Sequence, residues 1–206
     1  PLSKFKSITP KSALNHPNWK MGKKISIDSA TMMNKVFEII EAKKIFNVDY
    51  KKLKILIHPK SYVHAIVKFT NGLTKILVHD TNMKIPIFNS IYPKLEKNIK
   101  SDKFDMIKMN NLNFQIVDPK RFPVTKLLFI LPKNYSLFET VIVSVNDTLV
   151  DNFLKNKIKF NEIGLLLFKI INRPEFKKYK KIPVKSVQDI IKLKKYVSSK
   201  TNLLCI

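Results

Sequence analysis

The chain has 206 residues, 45% of them hydrophobic, and a formal net charge of +24. That length and apolar content furnish a real core for one large or two small domains and exclude a chain disordered by composition. No apolar run reaches the roughly 18 residues that a membrane helix needs, and a lone Cys205 excludes both a disulfide framework and a cysteine metal cage.

The charge is almost all lysine, since Arg121 and Arg173 are the only arginines. Reading bases and phosphates favours arginine's planar fork, so scattered lysines are a poor nucleic-acid signature. Abundant Lys, Ile, Asn and Phe beside scarce Gly and Arg is the composition an AT-rich genome imposes. A lysine-rich nucleic-acid-binding module stays open as an alternative. A start at Pro1 reads as a processed product or a piece of something longer.

In chain order, residues 1–24 read as a loop punctuated by Pro10, Pro17 and Gly22. Ile25 to Ile27 reads as a short strand. It leads into a helix in which Met33, Phe37 and Ile40 recur at helical spacing, capped by Asp28 or Ser29. KLKILIHP is a second strand. SYVHAIVKFTNGLTKILVHD is a hairpin whose Asn71-Gly72 suits a two-residue type I′ turn. Pairing across such a turn sets His64 opposite His79, while His58 before Pro59 reads as structural.

Residues from Thr81 to Lys120 look like connection. From about Pro123 the pattern is helical, and Ser186 with Asp189 makes a capping box for the last helix. The expected fold is an α/β domain with a small mixed β-sheet and helices, followed by an all-α helical bundle. The expected division is residues 1–92, a linker over 93–118, and a helical domain over 119–206.

One short span concentrates the chemistry. A helix opening at Ser29 would offer unpaired N–H groups and the positive end of its dipole to a phosphate, with the Ser29 hydroxyl beside them. Asn34 and Lys35 can reach the same anion. Glu38, four residues after Asn34, shares its face and suits a hard divalent cation. The plainer alternative is a capped amphipathic helix with a Lys35/Glu38 surface pair. Trp19 and Met21, in a lysine-rich loop, either close over something or anchor the loop to the core. A His64/His79 pair could bind metal, but no third ligand is near in sequence.

Together, HPNWKMGKKISIDSATMMNK followed by Glu38 resembles the signature of the 1-deoxy-D-xylulose 5-phosphate reductoisomerase family. The similarity continues through ILIHPKSYVHAIV, NMKIPI and the Phe-Pro and Thr-Lys-Leu around Phe122 to Leu127. The resemblance implies the later part of such an enzyme: a partial catalytic domain starting inside an active-site lid, then the helical domain, without the NADPH-binding domain. It assigns His16, Trp19 and Met21 to the lid, with Met21 toward the nicotinamide. It assigns Ser29, Asn34 and Lys35 to the phosphate and hydroxyl end of the substrate, and Glu38 to Mg²⁺ or Mn²⁺. Met83 falls on the cofactor pocket and His64 beside the site. It further implies a homodimer joined through the catalytic domain, a relict plastid as location, and no turnover by this chain alone.

Three departures stand out: Val36-Phe37 for the family's Gly-Leu, Thr81-Asn82 for Pro-Asp, and Val143 to Asp147 for Asn-Ala-Ala-Asn-Glu. They leave open a non-catalytic descendant of the enzyme.

Overall fold

The run FETVIVSVNDTLVDNFL is buried on nearly every side, polar Ser144, Asn146, Thr148 and Asn152 included, because other helices wrap it. The computed structural model describes residues 2–15, 21–94, 97–103 and 105–205. In chain order it forms α1 (Pro10–Ala13), α2 (Lys23–Thr31), α3 (Met33–Phe46), β1 (Leu56–Ile57), β2 (Val63–Lys68) and β3 (Thr74–Val78). There follow α4 (Lys84–Ile91), α5 (Met106–Asn110), β4 (Gln115–Ile116), α6 (Phe138–Leu154), α7 (Phe160–Ile171), α8 (Pro174–Lys177) and α9 (Val187–Leu204). Two compact units result: one of residues 21–54 and 118–205 with the described amino-terminal stretch, the other of residues 55–117.

In the first unit α6 is the central post. Phe138, Val141, Ile142, Val145, Leu149 and Phe153 on it are all at most 2% exposed. They meet Ile163, Leu167 and Ile171 of α7, Leu193 and Val197 of α9, and Ile27 and Met33 of α2 and α3. Phe153 packs edge-on against Phe160, which in turn meets Phe5. The capping box of α9 forms as the sequence predicts: Asp189 N–H donates to Ser186 Oγ (3.1 Å) and Ser186 N–H to Asp189 Oδ2 (3.0 Å).

The amino-terminal boundary differs from expectation. Ile25 to Ile27 is helical, because the Gly22 carbonyl accepts from both the N–H and the hydroxyl of Ser26 and starts α2 at Lys23. Three residues of alternation are too few to separate strand from helix. Neither Asp28 nor Ser29 caps a helix. Both lie inside α2, and the chain breaks instead at Met32, whose φ of 67° and ψ of 13° are left-handed. Thr31 prepares the break by donating its hydroxyl back to the Ile27 carbonyl (3.1 Å).

The second unit has little core: among its described residues Tyr62 is the one buried apolar side chain, at 8% exposure. β1 pairs antiparallel with β4, and β2 with β3, so the small sheet is two antiparallel pairs and not a mixed one. KLKILIHP contributes only Leu56–Ile57 as strand. The stretch expected to be pure connection holds α4, α5 and β4.

The hairpin forms where predicted, but with a three-residue loop. Phe69 N–H donates to Leu73 O (2.8 Å), Gly72 N–H donates to Phe69 O (3.2 Å), and Gly72 takes a φ of 89°. That left-handed closing residue is why glycine is needed there. The ladder pairs Val63 with Val78 and Ala65 with Leu77, so His64 bulges out of it and does not sit opposite His79 as a two-residue loop would require, yet the two side chains still meet. Their rings stack at 3.5 Å with 7° between planes.

Candidate functional site

The α2–α3 break creates an open hollow of about 560 Å³ lined by Gly22, Lys23, Lys24, Ile25, Asp28, Asn34, Phe37, Glu38 and Glu41. Asn34 and Glu38 therefore open onto one space, as their four-residue spacing on α3 requires. The Asn34 Oδ1 is buried without a hydrogen-bond partner, an acceptor available to a ligand.

Glu38 stands at the rim, 52% exposed. Both its oxygens accept from the Lys35 ammonium, at 3.0 and 2.8 Å. An exposed i,i+3 pair of this kind is worth only about 0.2–1 kcal/mol, so either partner can leave it for a stronger one at small cost. Lys35 is not among the lining residues, and neither is Ser29, which is half-buried in the last turn of α2. The expected helix opening at Ser29 is thus replaced by one at Met33. The first turn of α3 is partly occupied there, with Met33 N–H donating to Thr31 Oγ1 and Lys35 N–H to Met32 O.

In the sequence Lys24 goes unnoticed and Asp28 is only a candidate cap; the one local signal is their i,i+4 spacing. The Asp28 carboxylate is 2% exposed. It accepts from Lys24 Nζ at 2.6 Å and from Asn146 Nδ2 at 2.7 Å. Lys24 also faces Asp147 at 3.1 Å and lies over the Phe37 ring at 5.3 Å. Burial alone would lower the Lys24 pKa. Hydrogen bonds and charge from Asp28, then from Asp147, outweigh it and raise the ammonium above its ordinary value.

The bulk at Val36-Phe37 divides cleanly. Val36 is fully buried in the core, and only Phe37 reaches the hollow. Met21 is half-buried just before Gly22. Met83 (55% exposed, at the start of α4) and His64 belong to the second unit. His64 Nε2 meets the His79 carbonyl at 3.0 Å. His16 and Trp19 lie outside the described residues. No group of three His, Cys, Asp or Glu side chains that could hold a metal ion occurs among the described residues.

Two family models match: the 1-deoxy-D-xylulose 5-phosphate reductoisomerase C-terminal domain over residues 1–46, and the DXP reductoisomerase C-terminal domain over residues 79–199. The chain belongs to the 1-deoxy-D-xylulose 5-phosphate reductoisomerase family. It is 61% identical over 205 residues to the reductoisomerase of Pelagibacter ubique (strain HTCC1062), covering 100% of this chain and 53% of that protein. The reductoisomerase of Sulfurihydrogenibium sp. (strain YO3AOP1) is 36% identical, over 98% of this chain and 51% of its own length.

Among solved structures, the reductoisomerase from Zymomonas mobilis in complex with NADPH matches at a TM-score of 0.85 and 29% identity, covering 99% of this chain and 51% of that one. A DOX-P reductoisomerase in complex with NADPH, fosmidomycin and magnesium matches at 0.88 and 29%, covering 100% and 51%. The chain spans about half the length of the curated relatives it matches. The span carrying Asn34, Lys35 and Glu38 falls within the first family match.

Proposed function

We propose that this chain is the part of a reductoisomerase that grips the substrate's phosphate end and completes the metal site. The whole enzyme converts 1-deoxy-D-xylulose 5-phosphate to 2-C-methyl-D-erythritol 4-phosphate. The observation that carries the reading is the shared hollow of Asn34 and Glu38, inside the residues that match the family.

In this reading Asn34 and Lys35, with the Ser29 hydroxyl, hold the phosphate and a neighbouring hydroxyl. Glu38 is one carboxylate ligand of Mg²⁺ or Mn²⁺. A divalent ion bound there supplies Lewis acidity to the substrate's carbonyl and hydroxyl oxygens, and NADPH supplies the hydride. Lys35 and Glu38 neutralise one another at rest. When Glu38 turns to a cation, Lys35 is released to an anionic phosphate, so one weak pair gives way to two stronger ones. The family resemblance gives Met21 and Met83 cofactor roles and His16 and Trp19 lid roles, the lid being what would keep water from the substrate.

The homodimer belongs to the same proposal. Leu73, Ile76 and Leu77, 44–61% exposed on the hairpin, are apolar surface suited to a second copy. Sedimentation of the joined enzyme at twice the monomer mass is the expected result.

The test joins this chain to the amino-terminal half of the Pelagibacter relative and follows NADPH oxidation with substrate and Mg²⁺ or Mn²⁺. Turnover by the joined enzyme, and none by the chain alone, is expected. A well-folded hybrid without turnover overturns the reading.

A further inference from the structure

The carboxylate of Asp28 is buried directly before Ser29, and every group that holds it comes from outside α3. Lys24 reaches it from one turn earlier in α2, and Asn146, fully buried, reaches it from α6. The network does not stop there. Asp147, next to Asn146, takes Lys24 at 3.1 Å on one oxygen and Lys194 of α9 at 3.5 Å on the other. A buried charge is tolerated only while such partners stay in place, so the last turns of α2 are pinned to the bundle at one point. The left-handed residue Met32 follows four positions later, and α3 starts from it. A fixed α2 thus sets where Asn34 and Glu38 open.

We propose that Asp28, held by Lys24 and Asn146, is a positioning residue that sets the α2–α3 break and thereby the placement of Asn34 and Glu38 on the hollow and of Ser29 and Lys35 next to them in the chain. This rests on the reading of that hollow as an anion and metal grip. Asp28 borders the hollow, but its two carboxylate oxygens are already taken by Lys24 and Asn146. Its own negative charge opposes anion binding, so its presence beside a phosphate site is accounted for by geometry and not by attraction. Lys24 serves the same end: its ammonium is taken up by Asp28, Asp147 and the Phe37 face, where a free lysine would compete with Lys35 for the phosphate.

The opposite signs of charge and position make the proposal testable with inorganic phosphate as the probe. Asp28→Asn removes a negative charge from the neighbourhood, so electrostatics alone would tighten phosphate binding. Loss of position weakens it, by about fivefold or more. Phosphate binding is followed at the backbone amide resonances of residues 29–35, and hydrogen exchange of the same amides is measured in parallel.

Exchange there should quicken by about tenfold in Asp28→Asn and in Lys24→Met while α7 keeps its protection. Lys24→Arg, which can still bridge both carboxylates, should return it to within about twofold of the unsubstituted chain. Tighter or unchanged phosphate binding in Asp28→Asn overturns the proposal. So does unaltered exchange at residues 29–35 in both variants, or equal loosening of α7. If the unsubstituted chain shows no phosphate response, the anion reading itself fails, and the exchange rates alone decide whether Asp28 positions the break.

Discussion

Asn146 donates from Nδ2 to Asp28 Oδ1 across 2.7 Å, although 118 residues separate them. Both are nearly inaccessible, at 0% and 2% exposure. Replacing Asn146 with Leu leaves a buried carboxylate with Lys24 as its remaining partner, and the stranded acceptor costs about 2–3 kcal/mol. Urea unfolding should show a lower midpoint at unchanged slope. Asn146→Asp should cost more still, since it sets two carboxylates face to face.

Met32 offers a backbone test of the same junction. An L-residue in the left-handed region is strained by about 1–2 kcal/mol, and branching at Cβ worsens it. Met32→Ile should therefore destabilise by about 1–2 kcal/mol. Met32→Gly relieves the strain but loses packing against the core, and should stay within about 1 kcal/mol of the unsubstituted chain. Glycine costing more than isoleucine in thermal unfolding would remove the strained-break account.

The two units differ in what a lost side chain costs. Phe153, 2% exposed and packed against Phe160 at 5.6 Å between ring centres, should cost about 3–5 kcal/mol when cut to Ala. Leu73, 61% exposed on the hairpin, should cost less than about 0.5 kcal/mol. Denaturation of both variants, read by helical circular dichroism, separates them. A large loss from Leu73→Ala in the monomer would contradict the exposed hairpin.

Tyr50 gives the pH dependence. Burial, and then the negative charge of Glu139, push its phenol from 10.0 up to about 12. Between those values the folded chain keeps a proton that the unfolded chain has released. The unfolded state binds fewer protons, so stability falls as pH rises from about 10 to about 12, and below that window the contribution is complete. The residue is half-buried while its hydroxyl oxygen is enclosed without a hydrogen-bond partner, which is why burial is the leading cause. Tyr50→Phe should flatten the fall with pH and remove the latest phenolate step from an ultraviolet titration. A Tyr50→Phe titration identical to that of the unsubstituted chain would exclude the shift.

Long elements were legible in the sequence because their patterns repeat: the capped α9, the apolar α6 and the alternating hairpin all form where periodicity puts them. Short or broken ones were not. Ile25 to Ile27 carries one and a half periods of alternation, and nothing local announces a left-handed Met32. The hairpin loop gained a residue because Gly72 alone, and not Asn71 with it, takes positive φ. In the candidate site, Asn34 and Glu38 share a face by spacing that any helix enforces. The Lys24–Asp28 pair had i,i+4 spacing as its one local signal, and its tie to Asn146 was invisible because tertiary packing made it.

Glu38 separates the functional reading from a bare surface pair. If it ligates a divalent ion in the joined enzyme, Glu38→Gln keeps the size but loses the charge and one ligating oxygen, and kcat should fall by about 100-fold or more. Added Mn²⁺ should recover part of the loss, since the defect is in ion binding. Glu41 lines the same hollow without an assigned role, and Glu41→Gln should change kcat by less than about threefold. Lys35→Met should act on KM for the phosphorylated substrate more than on kcat, because phosphate grip is made in ground and transition states alike. Equal, small effects at Glu38 and Glu41 would reduce the Lys35–Glu38 contact to an ordinary solvent-facing pair.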